Sequence, residues 1–315
     1  PYSRTSFTNG QTLDSVANAL QEGDVVWVIS PPKWLRRRDW GAEDTGRTPV
    51  ALHQIPRVEG TINTYDHQSG YVLAMVGGLD YDRSTFNRVT QACRQPGSTY
   101  KPIYYALALD DSKYSMASIL QDRPYVPEEG EVWNPQNVHG TLDGRVTMHM
   151  SLVRSLNLPS IELLVKVGFK EAEAWARRLG FTTPIHADKA LALGASCTRT
   201  DELTRAFATF ARGGTQRDPL YIRQIRDRDD QVVVDRSVPE DPLLWEGDRL
   251  DRLWATSTRK PRQVIDERTA FLITKLLRDS VLHGIAARCR IVPAPTGGKG
   301  GTSSDTMDVW FVGFT

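Results

Sequence analysis

The decisive stretch of this 315-residue chain reads Gln95-Pro96-Gly97-Ser98-Thr99-Tyr100-Lys101-Pro102. An apolar run follows it, and proline is tolerated only in the first turn of a helix, so Pro102 indicates a helix that starts near Ser98. Residues three apart on a helix share a face, so the Nζ of Lys101 can reach the Oγ of Ser98. A lysine whose pKa is lowered by an apolar or cationic neighbourhood is a competent base. The stretch therefore predicts a serine nucleophile at a helix N-terminus, where unpaired N–H groups stabilise a developing oxyanion.

The same spacing of serine and lysine occurs twice more, at Ser30–Lys33 and at Ser257–Lys260. Pro31-Pro32 prevents a regular hydrogen-bonded helix start at the first of these. The second lies in a basic stretch without helical periodicity. Only Ser98 has the sequence context that a nucleophile of this type requires.

A second motif, Ser155-Leu156-Asn157, lies between two predicted helices, the later of which Pro159 opens. Residues i and i+2 of an extended or turn segment point the same way, so a hydroxyl and an amide would face one cleft. The hydroxyl can relay a proton to a leaving amine, and the amide can hold a substrate amide group and orient the lysine. Taken alone, such a motif is more typical of an ordinary loop between helices.

A third motif, Lys299-Gly300-Gly301-Thr302, lies on a predicted strand just before a hairpin. Glycines allow a substrate backbone to approach a strand closely, and a lysine there offers a fixed positive charge to a carboxylate. A backbone N–H of the strand can be a second oxyanion donor. Alone, this motif is equally a glycine-rich turn with a surface lysine, but the order and contexts of all three motifs together indicate one cleft for serine acyl transfer.

Hydrophobic patterns along the chain predict strands at both ends and helices in the middle. The predicted strands are Asp24–Ile29, the hairpin Thr61–Tyr65 with Tyr71–Val76, the hairpin Leu220–Ile225 with Val232–Val234, a glycine-rich strand at 297–304 and Val309–Phe314. The predicted helices are 98–110, 145–156, 159–167, 170–179, 200–212 with Thr200 as its N-cap, and Asp266–His283. Loops are predicted between Pro32 and Pro49 and at 304–306, and little periodicity is found from Trp245 to Lys260.

These elements predict an α/β fold of the α+β type. Strands early and late in the chain would form one antiparallel sheet, with helices on its faces, a helical lobe beside it and a small β appendage at the N-terminus. The predicted domains are an accessory β segment at 1–56 and a larger domain at 57–315, incomplete at its C-terminal end. The chain begins and stops in mid-sequence, so we expect a fragment of a longer protein.

Composition excludes several classes of function. The 39 basic and 38 acidic side chains leave a net charge of +1, which provides no electrostatic reason to expect nucleic acid. Cys93, Cys197 and Cys289 lack Cys-x-x-Cys spacing, so neither a metal site nor a cofactor is predicted. We expect the cysteines to be buried free thiols, with a single disulfide as the alternative. No run of about 18 apolar residues is present, so any membrane anchor would lie outside this chain.

The three motifs resemble those of the class A penicillin-binding proteins, which are bifunctional synthases with a glycosyltransferase and a transpeptidase domain. The similarity covers about 56–315. The stretches that carry it are Gly77-Gly78, Phe86-Asn87-Arg88, Arg94 to Pro102, Trp133-Asn134-Pro135-Gln136-Asn137, Gly144 to Thr147, Ser155 to Ser160, Leu193 to Ser196, Phe210 to Gly214, and Asp308 to Thr315. The segment Leu20 to Val26 resembles the accessory region between the two catalytic domains.

The resemblance implies a peptidoglycan D,D-transpeptidase domain with a penicillin-binding transpeptidase or serine β-lactamase-like fold. Its substrates would be stem peptides, with a D-Ala-D-Ala donor and an amine acceptor, and β-lactams would be covalent inhibitors. Further cell-wall synthesis proteins are expected as partners, and the domain would lie in the periplasm or on the extracytoplasmic face of the membrane.

The resemblance also implies a role for each motif residue. Ser98 would be the acylated nucleophile, Lys101 its base and Ser155 the proton shuttle. The donor peptide would be bound by Asn157 and by the strand residues Lys299, Gly300, Gly301, Thr302 and Ser303. The oxyanion hole would be the backbone N–H groups of Ser98 and Thr302. Gly300 departs from the pattern, because the family usually has threonine there; Ser303 is a candidate to replace the lost hydroxyl.

Three alternatives keep the same motifs. A serine β-lactamase needs a carboxylate-activated water, but Glu162 is followed four residues later by Lys166 instead of the expected Asn, and the middle residue of the second motif is Leu156 instead of Asp. A D,D-carboxypeptidase differs only in using water as acceptor. A β-lactam sensor domain, acylated once, would be fused to a transmembrane signalling segment rather than preceded by a β appendage.

Overall fold

Residues 20, 23–30, 50–53, 56, 58–257, 262–303 and 306–315 are described by the computed structural model. The chain divides into two compact units, residues 1–59 and 60–315. In the first unit, strand β1 (Trp27–Ile29) pairs antiparallel with β2 (Ala51–His53). The loop predicted between Pro32 and Pro49 lies outside the described residues, as do the first two residues of the turn predicted at 304–306.

The strands of the second unit pair two by two, always antiparallel. The pairs are β3 (Ile62–Tyr65) with β4 (Val72–Val76), β5 (Ile119–Asp122) with β6 (Gly144–Thr147), β7 (Thr215–Gln216) with β10 (Arg262–Gln263), β8 (Gln224–Arg226) with β9 (Val232–Asp235), and β11 (Gly297–Thr302) with β12 (Val309–Phe314). Both predicted hairpins and both C-terminal strands are therefore confirmed, with ends that move by a few residues.

Seven α-helices lie in the described part of the second unit. They are α1 (Lys101–Asp110), α2 (Met148–Val153), α3 (Leu158–Val167), α4 (Phe169–Arg178), α5 (Thr200–Ala211), α6 (Glu246–Ser257) and α7 (Glu267–His283). Short 3₁₀ helices span Gly97–Tyr100, Lys189–Leu193 and Ala287–Ile291. Asp266 caps α7 by accepting a hydrogen bond from the N–H of Arg268, as expected for an N-cap aspartate. None of these helices is both long and apolar enough to span a membrane.

Helix α1 is the centre of the core. Ile103, Tyr104, Tyr105, Ala106 and Ala108 are all fully buried, so the helix is covered on every side. Helices α3, α4 and α7 pack around it, and α7 also contacts β11. The helix that carries the lysine of the first motif is thus held rigidly by the most buried part of the unit, and α7 holds the strand of the third motif against the same centre.

The mixed fold class is confirmed, but the predicted single sheet is wrong in its pairing. The hairpin β3–β4 does not pair with β11–β12. Both hairpins contribute to the lining of one groove of about 510 Å³, with Tyr65 of β3 and Phe314 of β12 beside Thr204 of α5. Helix α5 contacts both β3 and β12.

Two stretches of secondary structure differ from the prediction. The helix predicted at 145–156 is shorter, because Gly144–Thr147 forms strand β6 against β5 and Thr147 then caps α2. Helix α6 was not predicted, although Leu250, Leu253 and Trp254 have the helical spacing i, i+3, i+4. That spacing is the signal that would have found it. The N-cap of α5 is Arg199, one residue before the predicted Thr200.

The prediction of three free thiols is wrong for two of the cysteines. Cys93 and Cys197 form a disulfide across 104 residues of sequence, and Cys289 is free. An antiparallel bridge joins Arg94 to Thr198, each donating its N–H to the other's carbonyl oxygen. This bridge brings the two preceding cysteines to a Cα–Cα distance of 5.1 Å, which suits a disulfide.

Candidate active site

The first motif forms a tight turn followed by a buried helix. Ser98 lies in the 3₁₀ helix Gly97–Tyr100 and is half-buried, while Lys101 is the first residue of α1 and is fully buried. The Oγ1 of Thr99 donates a hydrogen bond to the carbonyl oxygen of Pro96 (2.7 Å) and closes the turn. The predicted helix start is therefore confirmed, and it leaves only the serine of the motif partly open to solvent.

Lys101 points toward the loop of the second motif. Its Nζ donates hydrogen bonds to the carbonyl oxygens of Ser155 (2.9 Å) and Leu156 (3.0 Å) and to the Oδ1 of Asn157 (2.8 Å). The Oγ of Ser155 lies 3.4 Å from the same nitrogen. We expected Lys101 to face Ser98, its neighbour on the helix; the structure directs its hydrogen bonds across the cleft to residues 54–56 positions away.

Ser155 is the point at which the three motifs meet. Its backbone has a φ of 57°, a left-handed conformation that is uncommon outside glycine and is found where surrounding structure imposes it. Its Oγ accepts a hydrogen bond from the Nζ of Lys299 (2.7 Å). The same oxygen also lies 3.4 Å from the Nζ of Lys101. The hydroxyl of the second motif is thus held between the lysines of the first and third.

Both lysines have lowered pKa values. Burial, and secondly the positive charge of Lys299, lower the pKa of Lys101 well below its ordinary value. Burial alone lowers the pKa of Lys299 to about 7. Two ammonium groups that share one hydroxyl in a dry site oppose each other's charge. Burial thus favours the neutral amine at both lysines, and at Lys101 the charge of Lys299 adds to it.

Three glycines allow close backbone contact between β11, a neighbouring loop and the turn Gly97–Tyr100, which carries the predicted nucleophile and is called the nucleophile turn below. A Cβ on Gly97 would come within 2.6 Å of the carbonyl oxygen of Thr302. A Cβ on Gly301 would overlap the carbonyl oxygen of Pro96, and one on Gly194 would overlap that of Gly97. The close approach of Gly97 to Thr302 brings the backbones of Ser98 and Thr302 to neighbouring positions. The N–H groups of these two residues are the predicted oxyanion donors.

The remaining residues of the third motif divide between the two faces of β11. Successive side chains of a strand alternate, so Gly300 and Thr302 share one face, and Thr302 is exposed there. The Oγ of Ser303 accepts a hydrogen bond from the N–H of Asp308 (2.9 Å) in the turn that closes the hairpin. Ser303 is therefore placed to stabilise the turn, and Thr302 is better positioned than Ser303 to replace the hydroxyl that Gly300 lacks.

Two residues at the site were not recognised as functional from the sequence. Gln136 accepts a hydrogen bond from the Nδ2 of Asn157 (2.7 Å), and Asn137 accepts one from the N–H of Asn157 (2.8 Å). Gln136 lies 21 residues and Asn137 lies 20 residues before Asn157, in the loop between β5 and β6. The only sequence signal was their place in a stretch similar to a known family.

The site contains what serine acyl transfer needs: a hydroxyl at a helix start, an amine of lowered pKa, a hydroxyl between two amines and two neighbouring backbone N–H groups. A cavity of about 290 Å³ adjoins it, lined in part by Gln95 and Ser303. The described residues contain no group of three or more His, Cys, Asp or Glu side chains that could hold a metal ion.

Comparison with protein families matches residues 60–315 to the family described as the penicillin binding protein transpeptidase domain. Penicillin-binding protein 1A of Neisseria meningitidis is 33% identical over 270 residues, which cover 84% of this chain and 32% of the relative. Penicillin-binding protein 1A of Rickettsia felis is 32% identical over 310 residues, covering 96% of this chain and 37% of the relative. The chain thus spans about a third of the length of these curated relatives.

Among solved structures, penicillin-binding protein 1A from Haemophilus influenzae superposes with a TM-score of 0.74 at 28% identity, covering 85% of this chain and 43% of that one. An imipenem acyl-enzyme complex of penicillin-binding protein A from M. tuberculosis superposes with a TM-score of 0.59 at 18% identity, covering 72% of this chain and 53% of that one. The second similarity is one of fold alone.

Proposed function

We propose that this chain, which belongs to the penicillin-binding protein transpeptidase family, is a serine D,D-transpeptidase domain that cross-links peptidoglycan stem peptides. Its family and fold class, as predicted from the sequence, are confirmed by the family match and by the superposition on penicillin-binding protein 1A. The observation that carries the proposal is the contact of Lys101 and Lys299 with the one hydroxyl of Ser155, because it brings all three motifs into one cleft.

In the first half-reaction, neutral Lys101 takes the proton of Ser98, and Ser98 Oγ attacks the carbonyl carbon between the two terminal D-alanines of the donor peptide. The N–H groups of Ser98 and Thr302 stabilise the oxyanion. Ser155 passes its proton to the departing amine of the last D-alanine and regains one from protonated Lys101. The products are an acyl ester on Ser98 and free D-alanine, so atoms and protons balance.

In the second half-reaction, the amine of an acceptor peptide attacks the ester. Lys101 and Ser155 remove the proton of that amine and return one to Ser98 Oγ, by the reverse of the first proton path. Asn157 would hold the acyl amide of the donor with the second N–H and the second lone pair of its side-chain amide, since Lys101 and Gln136 use one of each. Lys299, buried behind Ser155, contributes the positive charge that attracts the donor's terminal carboxylate.

The arrangement of Glu162 argues against a β-lactamase. Its Oε1 pairs with the Nζ of Lys166 (2.7 Å) and its Oε2 accepts the N–H of Gln121. One oxygen thus serves an ion pair within α3 and the other a contact with β5, which leaves this carboxylate poorly suited to activate a water on the acyl-enzyme.

The disulfide supports an extracytoplasmic location, because disulfides persist in oxidising compartments such as the periplasm. Membrane attachment and a glycosyltransferase domain would belong to parts of the protein outside this chain. Stem peptides are the proposed substrates and β-lactams the proposed covalent inhibitors.

Labelling with a fluorescent penicillin tests the proposal. The wild-type chain should form a covalent adduct that maps to Ser98, and Ser98→Ala should abolish it. Ser257→Ala, which removes the serine of another Ser-x-x-Lys sequence, is the matched control and should be labelled like the wild type. Labelling of Ser98→Ala, or an adduct on Ser30 or Ser257, would contradict the assignment.

A further inference from the structure

The N-terminus of α3 is capped in an unusual way. Asn157 is its N-cap residue, and asparagine in that position normally turns its side-chain oxygen back to accept an N–H of the first helical turn. Here the side chain makes no such bond. Its Oδ1 accepts from Lys101 Nζ (2.8 Å) and its Nδ2 donates to the carbonyl oxygen of Gln136 (2.7 Å). The amide is therefore directed into the active site instead of along its own helix.

A second asparagine supplies an acceptor for the first two N–H groups at this helix start. The Oδ1 of Asn137 accepts hydrogen bonds from the N–H of Asn157 (2.8 Å) and, at 3.3 Å, from that of Leu158, the first residue of α3. Asn137 and Leu158 are each only 7% exposed, so the N–H of Leu158 has little access to water as an alternative partner. An acceptor from the β5–β6 loop thus satisfies the start of α3.

A buried aspartate fixes the orientation of Asn137. The Nδ2 of Asn137 donates to Asp122 Oδ1 (2.7 Å) and to the carbonyl oxygen of Thr141 (2.9 Å). The other oxygen of Asp122 accepts the N–H of Asp143 (2.9 Å), and Asp122 is 1% exposed at the end of β5. A carboxylate only accepts, so it holds the NH₂ end of the Asn137 amide toward itself and the oxygen toward α3.

We propose that Asn137, oriented by Asp122, is a positioning residue for the acylation step: it accepts the N–H groups of Asn157 and Leu158, fixes the backbone at the start of α3 and so holds the Asn157 amide on Lys101 and the substrate. This inference rests on the proposed function. Without Asn137, the backbone of Asn157 would shift, and Lys101 would lose one of the acceptors that fix its Nζ.

A double-mutant cycle on acylation by a penicillin tests the proposal. Asn137→Ala should lower the acylation rate constant by about 10–100-fold, the scale expected when a reacting group is misplaced by about 1 Å. Because Asn137 acts through Asn157, adding Asn137→Ala to Asn157→Ala should lower the rate by less than about threefold more. Contacting residues couple in this way, whereas independent effects multiply. Multiplicative losses would overturn the proposal.

Three further variants separate positioning from stability. Gln216→Ala removes another buried amide, whose Nε2 donates to the carbonyl oxygen of Leu179 (2.7 Å), and should lower the melting temperature without changing the acylation rate constant.

Asn137→Asp keeps the acceptor for α3 but places a second carboxylate against Asp122, which should lower the acylation rate constant. Adding Asp122→Asn removes that repulsion and should recover at least part of the rate. These two variants, Asn137→Asp with and without Asp122→Asn, also test the proposal if Asn137→Ala does not fold. If the double variant recovers none of the lost acylation rate, Asp122 does not orient Asn137. Failure of the wild type to be acylated would instead refute the proposed function.

Discussion

At the scale of single residues, Gly300 is the position where the third motif departs from its family, and the structure shows room for a side chain there. A Cβ on Gly300 would meet nothing closer than the carbonyl oxygen of Trp310, at 3.8 Å. The register between β11 and β12 is unbroken across it, and its φ is not positive. Neither a bulge nor a left-handed backbone requires glycine at this position.

Gly300→Thr should therefore accelerate acylation by a penicillin. A threonine hydroxyl on the face shared with Thr302 would donate a hydrogen bond to the ligand carboxylate, and bonds to charged groups are worth roughly 1.5–3 kcal/mol. We expect the second-order rate constant of acylation to rise by about tenfold, which corresponds to about 1.4 kcal/mol. Gly300→Val, of the same shape without the hydroxyl, is the control and should bring no gain. A slower or less stable Gly300→Thr variant would contradict the argument.

The two buried lysines predict a bell-shaped pH dependence. In the proposed mechanism Lys101 is a neutral base, so the rate should rise as pH increases through its lowered pKa. Lys299 is proposed to act as a cation, and its pKa of about 7 means that its charge is lost as pH rises through that value. The second-order rate constant of acylation should thus fall on the alkaline side near neutrality.

Lys299→Arg is the variant that identifies the alkaline limb, since a guanidinium stays protonated over the whole accessible range. In this variant the alkaline fall of the acylation rate constant should occur at higher pH, even if the maximal rate constant changes. The measurement is a pH series of acylation rates on both proteins. An alkaline limb that stays in place would show that Lys299 is not the group responsible.

At the scale of elements, the close contact between β11 and the nucleophile turn is the feature most sensitive to added volume. Gly301→Ala would place a Cβ against Pro96 and within 2.7 Å of the N–H nitrogen of Thr99. We expect the strand to move away from the turn, with an acylation rate lower by about 10²-fold for a displacement near 1 Å and a stability loss of about 1–3 kcal/mol. Gly300→Ala, the adjacent glycine in the same strand, should change neither quantity appreciably. Equal effects of the two substitutions on the acylation rate would contradict this account.

At the scale of the whole molecule, the disulfide joins the segment before the nucleophile turn to the segment before α5. It closes a loop of 104 residues of sequence separation. Loops of about 100 residues are expected to yield roughly 2–5 kcal/mol of stabilisation, mainly through the unfolded state. Reduction, or Cys93→Ser together with Cys197→Ser, should lower the free energy of unfolding in denaturant by about that amount.

Cys289→Ser provides the control, because Cys289 is free and only partly buried. It should unfold like the wild type under oxidising conditions, and its stability should still fall on adding reductant. A double variant as stable as the oxidised wild type would show that the disulfide contributes little.

Features that depend on neighbouring residues could be predicted from the amino-acid sequence. Pro102 set the start of the first-motif helix, and turn residues and alternating apolar residues set the β3–β4 and β11–β12 hairpins. The order and context of the three motifs indicated one cleft. These inferences succeed because backbone restriction and side-chain periodicity act over a few residues and need no knowledge of distant contacts.

The way in which distant segments meet became visible in the folded chain alone. It turned Lys101 toward the second motif, 54 residues away, joined Cys93 to Cys197, and placed Asn137 against the start of α3. It also paired β5 with β6, which converted part of a predicted helix into a strand. The physical reason is the same in each case: such contacts depend on packing around α1 and on which backbone groups remain to be satisfied there, and neither quantity can be read from local sequence.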